Sequence, residues 1–207
     1  MNPSLLCAAF TFAAFFYLLL PLGRLALGGR LAVFTALFAL SFVPHDGLAL
    51  AGYLRGVFGG ELAIPTLVLL VWGCLRQTFA WTVTEGVQRM APLCFFAVLG
   101  LVLYPATLGL SSLDPYRFGF EPGLLLLVSA AGALAFCFLG NCVASLTLVL
   151  TGLAFMLGIK NSQNYWDYLI DPLLFVYSLV VVLRWLSGEV WAWFRAARRP
   201  VLVTSEA

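Results

Sequence analysis

Charge is what this chain has least of: 10% of its 207 residues are Asp, Glu, Lys or Arg, with a single lysine, Lys160, and a single histidine, His45. The net charge of +2 offers no basic face on which nucleic acid would be held through its phosphates. One histidine excludes the membrane phosphatases that need two. No G-x-x-x-x-G-K-[ST] cradles nucleotide phosphates, and no H-E-x-x-H binds zinc. Asp46-Gly47 begins like the CDP-alcohol phosphotransferase motif, but Leu50-Ala51 stands where that motif needs Ala-Arg, and the later paired aspartates are missing. An intramembrane serine protease needs a G-x-S before its histidine, whereas Ser111 and Ser112 follow His45. The five cysteines (Cys7, Cys74, Cys94, Cys137, Cys142) contain no C-x-x-C and sit in apolar runs. That suits small hydrophobes between helices better than disulfides or metal ligands. No metal and no cofactor are expected.

What fills the chain instead is apolar: 63% of the residues are hydrophobic. A water-soluble domain of this size cannot hide so much apolar surface, so the expected fold class is an all-α integral membrane protein. A bilayer span takes about 20 apolar residues as a helix. Apolar runs at 4–22, 31–44, 62–80, 90–110, 122–140, 142–159 and 169–188 predict a bundle of about seven transmembrane helices. The first run lacks a basic leader and a small-residue cleavage pattern, and is expected to be a retained span. The apolar segment Gly47–Phe58 is expected to be interfacial or re-entrant. The fifth and sixth runs meet at Gly140-Asn141, a turn without charge and the weakest joint of the scheme. Ten arginines to one lysine, in a chain rich in Leu, Ala, Gly and Val, point to a GC-rich bacterial genome. The expected location is therefore the cell inner membrane.

Basic residues near span ends prefer the cytoplasmic side. With an outside N-terminus, Arg24, Arg30, Arg76, Arg89, Arg184, Arg195, Arg198 and Arg199 fall on one face against Glu85, Glu189 and Glu206. The other face holds Arg55, Arg117 and Lys160 against Asp46, Glu61, Asp114, Glu121, Asp167 and Asp171. This predicts the C-terminus in the cytoplasm, with residues 1–188 as a single transmembrane domain and 189–207 as an interfacial Trp/Arg-rich tail. On the cytoplasmic side, Glu85 and Arg89 are spaced as an i,i+4 pair, and Arg76-Gln77 is expected at the interface. The three loops with the most varied polar chemistry, containing His45-Asp46, Asp114 and the 160–171 stretch, then emerge together outside.

Helix starts account for several outer acids. Glu61, Glu121-Pro122 and Asp171-Pro172 are placed as caps of the third, fifth and seventh spans, whose positive ends face outward. Asp114-Pro115 reads as a turn starter. If the 160–171 loop is helical, Lys160, Asn164, Asp167 and Asp171 recur along one face among Tyr165, Trp166 and Tyr168. Asn164, Trp166, Asp167 and Tyr168 are therefore candidates for binding a partner or a lipid head group. His45-Asp46 is the one imidazole beside a carboxylate, and His45, Asp46, Asp114 and Asp167 are the weak catalytic candidates.

Asn141, Ser145, Thr147 and Thr151, with Gly132, Gly140, Gly152 and Gly158, read as helix-packing positions, and no Asp, Glu or Lys falls at mid-membrane. The expected function is a non-catalytic subunit or scaffold of an envelope lipid or glycan biosynthesis system. Its partners would be membrane lipids and a protein in the membrane. An outer-leaflet head-group or glycan-lipid enzyme and a small-solute transporter are the alternatives.

Overall fold

The computed structural model describes residues 3–58, 61–80, 87–110 and 112–197, and is mostly helical. Helix α1 spans Pro3–Leu19 and α2 Leu27–Leu40. A two-residue-per-strand hairpin follows, β1 Pro44–His45 and β2 Leu48–Ala49, then α3 Leu50–Phe58. The remaining helices are α4 Ile64–Phe79, α5 Val87–Thr107, α6 Gly123–Phe138, α7 Cys142–Met156, the single turn α8 Trp166–Leu169, and α9 Pro172–Ala197. Each of the seven apolar runs contains one long helix.

Two stretches, Met90–Thr107 in α5 and Pro172–Glu189 in α9, are long and apolar enough to cross a membrane. Only 28% and 11% of them are buried, whereas the core helix of a water-soluble fold is mostly buried. The other apolar helices run 14–17 residues. Large side chains point outward along them, Phe138 at 89% exposure and Met156 at 72%. Exposed apolar surface on this scale marks contact with lipid or another apolar phase. All five cysteines are free.

The charge-free joint is well built. Gly140 has φ +74°, its N–H donates to Cys137 O, and Asn141 N–H donates to Phe136 O, which closes α6 in a Schellman motif. Asn141 Oδ1 then accepts from Ala144 N–H at 3.0 Å and caps α7. The hairpin is equally local: Asp46 (φ +46°) and Gly47 (φ +81°) both lie in the left-handed region, the type I′ pattern that an Asp-Gly pair favours. The Gly47–Phe58 segment is thus half of that hairpin plus a short helix, α3, lying on α1. Its Ala51 is fully buried in a cluster with Ala9 and Phe12, while Val57 is 77% exposed.

At the end where α1 and α4 finish, orphan carbonyls are gathered by two side chains. The Arg30 guanidinium donates to Gly23 O and Leu25 O and also to Gln77 O and Thr78 O. Gln77 Nε2 donates to Tyr17 O and Leu20 O, and the Tyr17 and Thr78 hydroxyls lie 2.8 Å apart. These bonds satisfy the last turns of two helices at once. Of the Arg76-Gln77 pair expected at an interface, Arg76 is exposed and Gln77 turns inward. The expected Glu85–Arg89 pair lies outside the described residues. α9 runs without a break through the boundary placed at 188, with Trp185 and Trp191 exposed; residues 198–207 lie outside the described residues.

α5 crosses α9 closely at Gly100. Tyr104 stacks on Phe175 with ring centroids 4.8 Å apart, and one turn earlier Gly100 faces the same ring. A Cβ at Gly100 would lie 2.0 Å from Phe175 Cδ2 and 2.6 Å from Cγ, too near the base of the ring to be relieved by a tip movement. Gly100→Ala is expected to lower stability by about 1–3 kcal/mol, the usual cost of overpacking. Thermal melting in detergent checks this, and Phe175→Leu in the same chain should recover part of the loss.

Candidate functional site

Three loops meet at the end opposite the Arg30 clasp. The segment expected to carry a helical stripe is helical only in α8, because side chains take over its backbone bonding. Asn164 Oδ1 accepts from Trp166 N–H at 2.9 Å, and its Nδ2 donates to Tyr116 O at 2.9 Å. Short polar side chains that bond nearby backbone compete with helix in this way. Trp166 Nε1 donates to Pro115 O at 2.8 Å, and Tyr165 N–H donates to Gly119 O. The approach requires glycine at 119, since a Cβ there would lie 1.7 Å from Asn164 Oδ1. Asp114 holds the facing 3-10 turn, Pro115–Gly119, by accepting from Arg117 N–H. Its reading as a turn starter is correct.

The candidate binding set lies mostly beneath the surface. Asn164, Trp166 and Tyr168 are 1%, 2% and 0% exposed. They hold the loop from inside, through bonds to its backbone. Of that set only Asp167 faces open space.

Lys160 and Asp171 tie this loop to the start of α4. Lys160 Nζ donates to Glu61 O at 3.0 Å, Leu62 O at 3.3 Å and Asp167 O, matching three ammonium protons to three carbonyls. Its backbone N–H donates to the Tyr168 hydroxyl, which donates in turn to Lys160 O. Burial pushes the Lys160 amine below the ordinary lysine value, against the pull of Asp167, Glu61 and Asp171. Asp171 Oδ1 caps α9 by accepting from Leu174 N–H at 2.8 Å, and Oδ2 accepts from Ala63 N–H at 2.9 Å. The cap at Asp171 is as expected, but its second bond was not. Glu61 and Glu121 are not caps: Ala63 and Pro122 hold those positions, with no side-chain bond.

Asp167 accepts from the Ser162 hydroxyl on Oδ2 and from the Tyr116 hydroxyl at 3.2 Å to either oxygen. Burial, reinforced by the Asp167 carboxylate, pushes the Tyr116 phenol above its ordinary value, so it stays a donor at neutral pH. Around these groups lies a cavity of about 440 Å³, within the range of small-molecule sites. Arg55 of α3, Glu61, Tyr104 and Thr107 of α5, Lys160 and Asp171 are among its walls.

The catalytic candidates do not converge. Asp167 lines the cavity, but His45, Asp46 and Asp114 do not. His45 Nε2 and Asp46 Oδ2 are 3.6 Å apart on the hairpin tip, with side chains 69% and 85% exposed. Among the described residues no group of three His, Cys, Asp or Glu is placed to hold a metal ion. Arg55, Tyr104 and Tyr116 were missed from sequence because each comes from a different element and none carries a local motif. Comparison with protein-family models, curated proteins and solved structures finds no match for this chain.

The two bonds of Asp171 make its substitutions separable. Asp171→Ala should lose about 1 kcal/mol for the cap and about 1–3 kcal/mol more for the stranded Ala63 N–H. Asp171→Asn can restore one acceptor but turns its amide donors toward the other N–H, and should recover only part. Melting of the three proteins in one detergent checks the order wild type, Asn, Ala. Full recovery by Asn would remove the Ala63 bond from the account.

Proposed function

We propose that this chain is a multi-pass protein of the bacterial inner membrane, crossing it seven times with its N-terminus outside and C-terminus in the cytoplasm. In this reading it is a non-catalytic subunit or scaffold of envelope lipid or glycan biosynthesis, and its outer cavity receives a polar head group. The observation that carries the reading is the cavity, the meeting place of charged and phenolic groups from α3, α5 and the 160–171 loop.

Seven crossings are supported by the position of the loops. The Glu61–Ala63, Pro115–Gly119 and Lys160–Asp171 segments bond to one another at one end, and residues 17–30 bond to 77–78 at the other. The shorter helices, at 1.5 Å per residue, cover less than the full hydrocarbon thickness. Apolar residues beyond their ends, such as Val43, Leu139 and Leu157, extend the match, and local thinning accommodates the rest.

Among the described residues no acid–base pair is left unengaged in the cavity to share a proton, which favours a subunit over an enzyme. Asp167 is held by two hydroxyl donors, Asp171 by two backbone N–H groups, and Lys160 by three carbonyls. Groups so engaged position the loop.

Two measurements test this. With the five native cysteines replaced by alanine, single cysteines at Ser112 and Gln163 should react with an impermeant maleimide from outside, and one at Ala26 should not; the reverse pattern would invert the topology. Purified protein mixed with total membrane lipid should retain lipid without changing it. Appearance of a new head-group product would replace the subunit by an enzyme.

A further inference from the structure

The outer cavity is bordered by five charged side chains, and three of them are already committed. Both oxygens of Asp171 accept backbone N–H groups, the Lys160 ammonium is matched by three carbonyls, and Asp167 accepts from Tyr116 and Ser162. Arg55 and Glu61 remain, one cation and one anion on the same cavity, with no side-chain hydrogen bond or ion pair among the described residues. Their charged groups lie beyond the 4.0 Å that would make them an ion pair.

We propose that the cavity binds a zwitterionic head group carrying a phosphodiester and a primary ammonium, that of a phosphatidylethanolamine-type lipid. The proposal rests on the head-group reading above and gives it a chemical class. A phosphate accepts the forked donors of Arg55, which suit oxyanions better than a lysine does. The ammonium is left to the Glu61 carboxylate. A molecule bearing both charges bridges two groups that do not reach one another.

The amine is primary because the cavity has hydrogen-bond acceptors and no aromatic cage. The Tyr104 hydroxyl and the Asn161 amide border the cavity, and neither side chain's polar group has a hydrogen bond among the described residues. A quaternary ammonium instead calls for open ring faces. Tyr104 has one face stacked on Phe175, and Tyr116 meets Phe120 edge-on at 5.8 Å. The molecule is a lipid because the cavity has apolar walls at Leu103, Ile170 and Pro172, and the helices that meet there, α5 and α9, expose apolar Val102 and Val176. Acyl chains have a path there along α5 and α9.

The test uses the full chain in mild detergent, titrated with phosphatidylethanolamine, phosphatidylcholine and phosphatidylglycerol of identical acyl chains, with retained lipid read by native mass spectrometry. Soluble glycerophosphoethanolamine is the competitor. Phosphatidylethanolamine should be retained about tenfold over either other lipid, the scale of one charge-assisted bond. Arg55→Gln should weaken its retention about tenfold, and Glu61→Gln should erase the preference over phosphatidylglycerol. Arg117→Gln, at the same end but off the cavity, should change nothing. Both cavity side chains are unbonded, so the variants should melt with the wild type. A variant that melts lower is replaced by Arg55→Lys or Glu61→Asp, which keep the charge and should keep the preference. Preference for phosphatidylcholine or phosphatidylglycerol would overturn the head-group class while leaving the cavity reading intact. Equal binding of glycerophosphoethanolamine would overturn the lipid as its source. Retention of no lipid above background would overturn the head-group reading itself.

Discussion

The end of the bundle that holds the cavity depends on how one half-buried amine is satisfied. An ammonium withdrawn from water costs several kcal/mol unless its protons find acceptors. Lys160 finds three, and all three are backbone carbonyls, on Glu61, Leu62 and Asp167. Carbonyls come with fixed chain positions, so satisfying the charge also fixes the entry to α4 and the turn before α8. Tyr168 then closes on both the N–H and the carbonyl of Lys160 and places its ring 5.6 Å from Nζ. The cation–π contact and the hydrogen bonds act on one small segment. Asp171 repeats the device with the opposite sign, one carboxylate holding the first turns of two helices.

The coarse architecture was legible because it is written in local chemistry. Gly140-Asn141 ends one helix and starts the next by residue type alone, Asp46-Gly47 makes its turn without help from the rest of the chain, and Asp171-Pro172 starts a helix as an acid-proline pair should. The gathering of three loops at one end was legible from the alternation of the apolar runs.

The site was less legible, for a physical reason. By residue type Asn164 and Trp166 belong on a presented surface, because polar and aromatic residues in a loop usually face outward. Their partners, Tyr116 O and Pro115 O, lie 48 and 51 positions earlier in the chain. No periodicity reports such a bond. The same holds for the second oxygen of Asp171, whose partner is 108 residues upstream. Glu61 and Glu121 are not caps because the cap positions fall two residues and one residue beyond them, at Ala63 and Pro122. Helix starts read from sequence drift by that much. Glu61 is thereby left free to face the cavity.

The spacing of these long-range bonds also sets an order on biogenesis. The start of α4 is made early, but its partners Lys160 and Asp171 lie 99 and 108 residues further along the chain. By contrast, the clasp of Arg30 on Gln77 and Thr78 closes within 48 residues. Once α4 has been made the Arg30 clasp has all of its partners, while the bonds of Glu61, Leu62 and Ala63 wait until most of the chain has been made. During that interval the Ala63 N–H and the Glu61 and Leu62 carbonyls lack the Asp171 and Lys160 side chains that satisfy them in the folded chain. A nascent chain arrested before Lys160 would therefore be half-assembled, sound at one rim and unsealed at the other.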